Sequence, residues 1–440
     1  MGDILETYNM WTAGTESDFV LNASCKGFPL AAEPCRVSQL GQRGWHLLDD
    51  ALAYPVAVLR RPALTHNLAW MQAFVQRKGV ALAPHGKTTM SPELFRLQLQ
   101  AGAWGLTFAN VHQLHVGLAA GAQRAIIANQ LVSDADLDGL DFLLNQYPQA
   151  RVWFLVDSLA QLQTLADWGT RRINARCWDV LLELGIAGYR TGCRTHEQAL
   201  ALAQAMAASP VTSLGGVECY EGGLGQCDSA HDIEAVSGLV RSVNALVQQI
   251  DEQHLWGGDD VLLSAGGSAV FDLVIPMLKT QVQSRPVQGV LRSGCYVTHD
   301  HWNYARYLKL VEAREGLSAS LLPALEVWAK VQSVPEPGLA ILSAGRRDLS
   351  FDQCMPMPVR WAACGQRGEG AMQATPESWK VKALSDQHAH MVFDAEGVWP
   401  QVGDRVALGI SHPCTTFDKW RWMAVIEDDG RISGAISTHF

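Results

Sequence analysis

Nine short, nearly uninterrupted apolar runs recur between residues 55 and 294, and helical patterns separate most of them. They are PVAVL (55–59), VALAP (80–84), GLTFA (105–109), RAIIA (124–128), RVWFLV (151–156), DVLLELG (179–185), LGGVECY (214–220), VLLSAG (261–266) and GVLRSG (289–294). A run that is apolar at every position, with no alternation, is a strand covered on both faces, as in a parallel sheet. The intervening segments carry helix signals. SPELFRLQLQAGA has Ser91 to cap it, Pro92 at the first helical position and Glu93 in the first turn. THEQALALAQAMAAS opens on Thr195 and is rich in helix formers. DLDGLDFLLNQYP and SLAQLQTLADWG follow the same pattern.

Eight of the nine runs are joined by helices of the right length, which predicts a (β/α)8 TIM-type barrel, with the remaining run, the first, free to pair elsewhere. A doubly wound sheet fits the same alternation. The chain of 440 residues is too long for one ordinary core, and the rhythm changes after about residue 310. Beyond it, stretches such as ALEVWAKVQSVPEPG, MPMPVRWAA and DRVALGISH read as strands with turns and no long helices. The expected organisation is an N-terminal segment 1–54 that joins the β-domain, an α/β barrel 55–310, and a C-terminal all-β domain 311–440.

A net charge of −10 excludes a general nucleic-acid or anionic-membrane binder, which needs a basic face. No run of apolar residues is long enough to cross a membrane, and MGDILETYNMW lacks the layout of a signal peptide. The ten cysteines form no CxxC pair and read as reduced thiols of a cytoplasmic protein.

Candidate chemistry gathers where strands end. Lys87, in VALAPHGKTTM, leaves a strand at the mouth where barrels keep their active sites. A lysine shielded there suits Schiff-base chemistry, although it is equally a surface lysine after a strand. Gly266, Gly267 and Ser268 in SAGGSAVFD follow a strand and open a helix pattern, so their N–H groups and hydroxyl suit a phosphate; so do Gly294 and Cys295 in LRSGCY. Each could also be a tight turn. Arg190 and Tyr220 stand just past strands, as partners for an anion and a ring or as rim packing. His412 and Cys414 in ISHPCTTFDKW would share one face if 406–414 is a strand. Structural zinc needs four ligands, so this pair fits better a catalytic ion with open positions. SDQHAHM (Asp386, His388, His390) and THDHW (His299, Asp300, His301) offer further ligands or outer partners.

Taken in order, Pro-His-x-Lys-Thr, a later strand ending near Tyr220, the Gly-Gly-Ser turn, the Gly-Cys-Tyr turn and His-x-Cys resemble the fold-type III pyridoxal-phosphate enzymes. Within them the chain resembles the branch of D-serine dehydratase and D-threonine aldolase, over roughly residues 50–420. The resemblance implies that Lys87 carries pyridoxal 5'-phosphate and that Arg190 and Tyr220 flank the pyridine ring. It implies that Gly266, Gly267, Ser268, Gly294 and Cys295 cradle the phosphate. His412 and Cys414 then hold Zn2+, or Mn2+ or another divalent ion. In the aldolases the second ligand is typically Asp, so Cys414 favours a dehydratase acting on a small D-amino acid, D-serine first. Aldolase-type cleavage and non-catalytic cofactor carriage are the alternatives. A homodimer is implied. The chain departs from the family's Pro-His-Val-Lys-Thr-His at Gly86 and Thr89.

Overall fold

The computed structural model describes residues 18–173, 175–368 and 370–440; the stretch MGDILETYNMW lies outside them. Eight of the apolar runs form one parallel sheet. Its order is Ala81–Leu82, Val287–Leu291, Val261–Ala265, Thr212–Glu218, Trp178–Glu183, Arg151–Val156, Arg124–Gln130 and Leu106–Phe108. The first and last strands meet through a bridge of His85 to Thr107, with Trp104 N–H on Leu82 O (2.8 Å) and Thr107 N–H on Pro84 O (2.9 Å). This seam closes the barrel. The interior is filled in layers, as small barrels require. Ala83, Ile126, Trp153, Leu155, Leu181, Leu262 and Val290 form an apolar plug. Buried Glu183, Glu218, Ser264 and Arg292 make a polar layer towards the C-terminal mouth.

The helices stand where their signals put them. Ser91 Oγ accepts from Leu94 N–H at the start of Pro92–Gln100, and Thr195 caps His196–Ala208 in the same way. The connection from Val261–Ala265 to Val287–Leu291 differs from expectation. SAGGSAVFD opens no regular helix; it runs through turns into the four-residue helix Ile275–Leu278. The glycine turn is therefore not a helix N-terminus.

The run PVAVL belongs to the second sheet, although it falls within the 55–310 segment. Val56–Arg60 pairs antiparallel with Leu325–Glu336 and parallel with Trp422–Ile426. It reads as a barrel strand because both its faces are covered. Ala57 and Leu59 pack in the cluster that runs through the barrel's outer layer, while Val56 and Val58 pack with Leu21, Phe28, Leu40, Leu47 and Leu48 of the N-terminal stretch. The remaining strands after residue 320 are antiparallel and include no long helix. Leu325, Val327, Val406, Leu408, Ile410 and Phe417 share the barrel's core cluster, so the β-domain is bound to the barrel by continuous apolar packing. No helix among the described residues is long and apolar enough to cross a membrane.

Candidate active site

The strands' C-terminal ends open on a cavity of about 310 Å³. Ten of the residues singled out from the sequence line it: Lys87, Arg190, Tyr220, Gly266, Gly267, Ser268, Gly294, Cys295, His412 and Cys414. Lys87 sits on a single 3₁₀ turn, Gly86–Thr88, where the chain leaves the Ala81–Leu82 strand. His85 steadies that turn by accepting Lys87 N–H on Nδ1 at 3.4 Å. His85 is half-buried at the cavity wall; desolvation, and then the positive charges of Lys87, Arg292 and Arg190, hold its pKa well below the usual value, so the ring is neutral. Gly86 replaces the family's valine for a packing reason. A Cβ there would stand 2.6 Å from the Phe108 ring and 2.8 Å from the Phe95 ring.

Below the lysine lies the polar layer. Arg292 Nη1 is 2.6 Å from Glu218 Oε2, and both side chains are buried. Arg292 also donates to Ser264 Oγ (2.9 Å) and Cys219 O (3.1 Å). Burial pushes the Glu218 carboxyl up to about 7, and Arg292 pulls it back. Glu183 accepts from Gln130 Nε2 (2.5 Å) and Thr191 Oγ1 (2.8 Å). On the wall, the Arg190 guanidinium lies 4.3 Å from the centroid of the Tyr220 ring. Burial, then Glu221, raises the Tyr220 phenol.

Amides of the glycine turns have partners within the protein. The N–H groups of Gly266 (3.0 Å) and Gly267 (2.5 Å) point back to the carboxylate of buried Glu221, and Cys295 N–H donates to Ser268 Oγ (3.2 Å). The turn has no helix behind it to supply a partner, so Glu221 does. Ser268, Tyr304 and the close backbone of Gly266, Gly267 and Gly294 line the cavity at this end. A Cβ on Gly294 would lie 2.4 Å from His85 O.

His412 and Cys414 reach the cavity by a route other than strand alternation. The strand Arg405–Gly409 ends before them; His412 lies in the following bend and Cys414 opens the short helix Cys414–Phe417. His412 Nδ1 is 2.6 Å from Asp352 Oδ2, and Asp352 also accepts from Thr415 Oγ1 at 2.9 Å. Burial would raise the Asp352 carboxyl, but those bonds hold it below its usual value. This orientation leaves His412 Nε2 as the atom for an ion. Asp352, Glu221, Arg292 and Tyr304 carry no sequence signal; only the fold brings them here. His299, Asp300, His301, Asp386, His388 and His390 do not line the cavity. His299 is buried, His301 is half-buried with its ring against Gly409, and His390 Nε2 stands 3.1 Å from Ser385 Oγ.

The residues present fit pyridoxal phosphate. They supply one amine, a cavity of suitable size, guanidinium groups, and a hydroxyl beside a floor that only glycine permits. They also fit a soft divalent ion, since an imidazole with one nitrogen already engaged stands near a thiol. Among the described residues, no three His, Cys, Asp or Glu side chains already converge tightly enough to hold it alone.

A parallel barrel with a mouth-side lysine, joined to a β-domain that carries soft ligands into the same cavity, defines a pyridoxal-phosphate-type enzyme architecture. Residues 59–274 match the alanine racemase N-terminal domain family and residues 324–426 the serine dehydratase domain family. The two matches and the architecture are those of an alanine racemase-like fold, consistent with the fold-type III enzymes. It is 27% identical to a D-threonine aldolase of Arthrobacter sp. over 85% of this chain and 89% of that protein. It is also 27% identical to a D-threo-3-hydroxyaspartate dehydratase of Delftia sp., over 68% of this chain and 73% of that one. In the solved D-threonine aldolase from Filomicrobium marinum the same fold recurs, with TM-score 0.74 at 23% identity, covering 90% and 97% of the two chains.

Proposed function

We propose that this chain is a pyridoxal-phosphate- and divalent-metal-dependent lyase of small D-β-hydroxy amino acids. Its reaction is dehydration, D-serine yielding pyruvate and ammonia. The observation that carries this reading is the meeting of Lys87, from the barrel, with His412 and Cys414, from the β-domain, around one cavity. Bound at Lys87, the cofactor supplies an electron sink next to the substrate's α-carbon. A divalent ion at His412 and Cys414 supplies a Lewis acid for the β-oxygen, because hydroxide leaves poorly unaided. The chain's own groups do the rest. Once the substrate's amine had displaced it from the cofactor, the Lys87 amine would be free to take the α-proton. Arg190 offers a fixed positive charge to a carboxylate or phosphate oxygen. Neutral His85 steadies the lysine's turn without adding charge. Asp352 orients His412.

Cys414 supports dehydration over cleavage. A D-threo-3-hydroxyaspartate dehydratase has been solved as a histidine-to-alanine variant and, in a metal-free form, as a cysteine-to-alanine variant. Retro-aldol cleavage is the second reading, because the aldolase relatives align over more of the chain, 85% against 68%. Incubation with D-serine, D-threonine and D-3-hydroxyaspartate, with and without chelator, separates the two. Dehydration gives keto acid and ammonia, lost on chelation; glycine and an aldehyde would establish cleavage instead. Lys87→Ala should lower turnover at least about a hundredfold and abolish the borohydride-reducible chromophore. In the same reading the protein is a cytoplasmic homodimer, checked by light scattering of the purified protein; its ten cysteines are all unpaired.

A further inference from the structure

We infer that Cys295 is a second sulfur ligand to the ion held by Cys414. The inference rests on the metal-dependent reading above and deepens it. Cys295 stands on the 3₁₀ turn after the barrel's last strand, Cys414 on the β-domain, and their Sγ atoms are 3.8 Å apart. This is no disulfide, in which the sulfurs would be about 2.0 Å apart. Two zinc–sulfur bonds of about 2.3 Å at a tetrahedral angle place their sulfurs about 3.8 Å apart. The pair therefore already spans one edge of such a site. The Thr88 hydroxyl, next to Lys87, sits 3.6 Å from Cys295 Sγ and 3.4 Å from Cys414 Sγ, so the edge lies beside the catalytic lysine. Both thiols line the cavity with His412.

Two sulfurs and one imidazole, with a fourth position open, form a recognised catalytic zinc set, whereas one sulfur and one imidazole leave half the sphere unfilled. The third corner is not yet in place, since no three ligating side chains converge among the described residues. His412 completes the set only with the ion present, its Nδ1 kept on Asp352. The backbone of Cys295 was the part expected to matter, at the phosphate. Its side chain gives the residue a separate task and favours soft ions such as zinc over manganese.

The test is the sulfur count of the loaded protein. X-ray absorption of the zinc-loaded holoenzyme should show two sulfur scatterers at about 2.3 Å. In the cobalt-loaded holoenzyme, Cys295→Ser and Cys414→Ser should each remove about half of the thiolate-to-cobalt charge-transfer intensity. Zinc affinity, measured by competition with a chromophoric chelator, should fall at least about tenfold in Cys295→Ser, in line with loss of a ligand. One sulfur in the native protein, or an unchanged charge-transfer band in Cys295→Ser, overturns the inference and leaves the proposed function standing. A protein that binds no divalent ion at all overturns both. The native sulfur count decides the matter even if Cys295→Ser does not fold.

Discussion

Asp352 shows how much of this site depends on a residue with no motif. It lies 60 residues before His412 in the chain, yet its carboxylate is 2.6 Å from the ring's Nδ1. An imidazole held in this way has one tautomer and one orientation, which raises its value as a ligand. Asp352→Asn removes the charge while keeping the shape. It should weaken zinc binding about 10–100-fold, with a matching loss of chelator-sensitive turnover. Competition titration of the metal reads the first, and steady-state kinetics at limiting zinc reads the second. Restored turnover at high zinc would place the residue's effect in affinity alone. Unchanged affinity would leave Asp352 a bystander.

At the level of elements, the exit turn Gly86–Thr88 shows what sequence patterns convey and what they hide. The strand before it, the caps at Ser91 and Thr195, and the position of Lys87 at a strand's end were legible, because apolar continuity and cap chemistry are local. The pairing of Val56–Arg60 was harder, because a strand covered on both faces looks the same whichever sheet covers it. The glycine turn hid its partner for a different reason. The Gly266–Gly267 turn leads into no helix, and the acceptor for its amides, Glu221, is 45 and 46 residues away. His412 and Cys414 reached one cavity from a bend and a short helix, so the expected strand was not needed to bring them together. Gly86 appeared only as a departure from a familiar motif, and its reason is steric. Gly86→Ala puts a Cβ 2.6–2.8 Å from two phenyl rings and should cost about 1–3 kcal/mol by overpacking. Thermal unfolding of Gly86→Ala, Phe95→Leu and the double variant checks this. The double should be more stable than the sum of the single losses predicts, because the two positions touch.

Across the whole molecule, the junction between barrel and β-domain half-buries a histidine in a way that ties stability to pH. His301 N–H donates to Ile410 O (3.0 Å), and its ring packs on Gly409, where a Cβ would lie 2.6 Å away. Its Nδ1 is buried without a hydrogen-bond partner. Burial lowers its pKa to about 4; Glu326 opposes this, and Arg60 and Arg360 add to it, with Arg360 already paired to Glu326 at 2.6 Å. The folded state therefore keeps this ring neutral where the unfolded chain, with a pKa near 6.5, takes up a proton. Its contribution to stability is complete above about pH 6.5 and is lost progressively as pH falls towards 4. The loss is on the order of 3 kcal/mol at the acid end. Glu218 and Asp300, each raised to about 7 chiefly by burial, act in the opposite sense, since the folded state holds their protons more tightly. The wild-type curve is the sum, so the histidine's share lies in a difference. His301→Asn, which cannot titrate, should lose less stability than wild type between pH 7.5 and 4.5, each relative to its own value at pH 7.5. Denaturant unfolding across that range measures it. Parallel curves for the two proteins would mean that His301 gains its proton equally in both states, and that the junction does not hold the ring neutral.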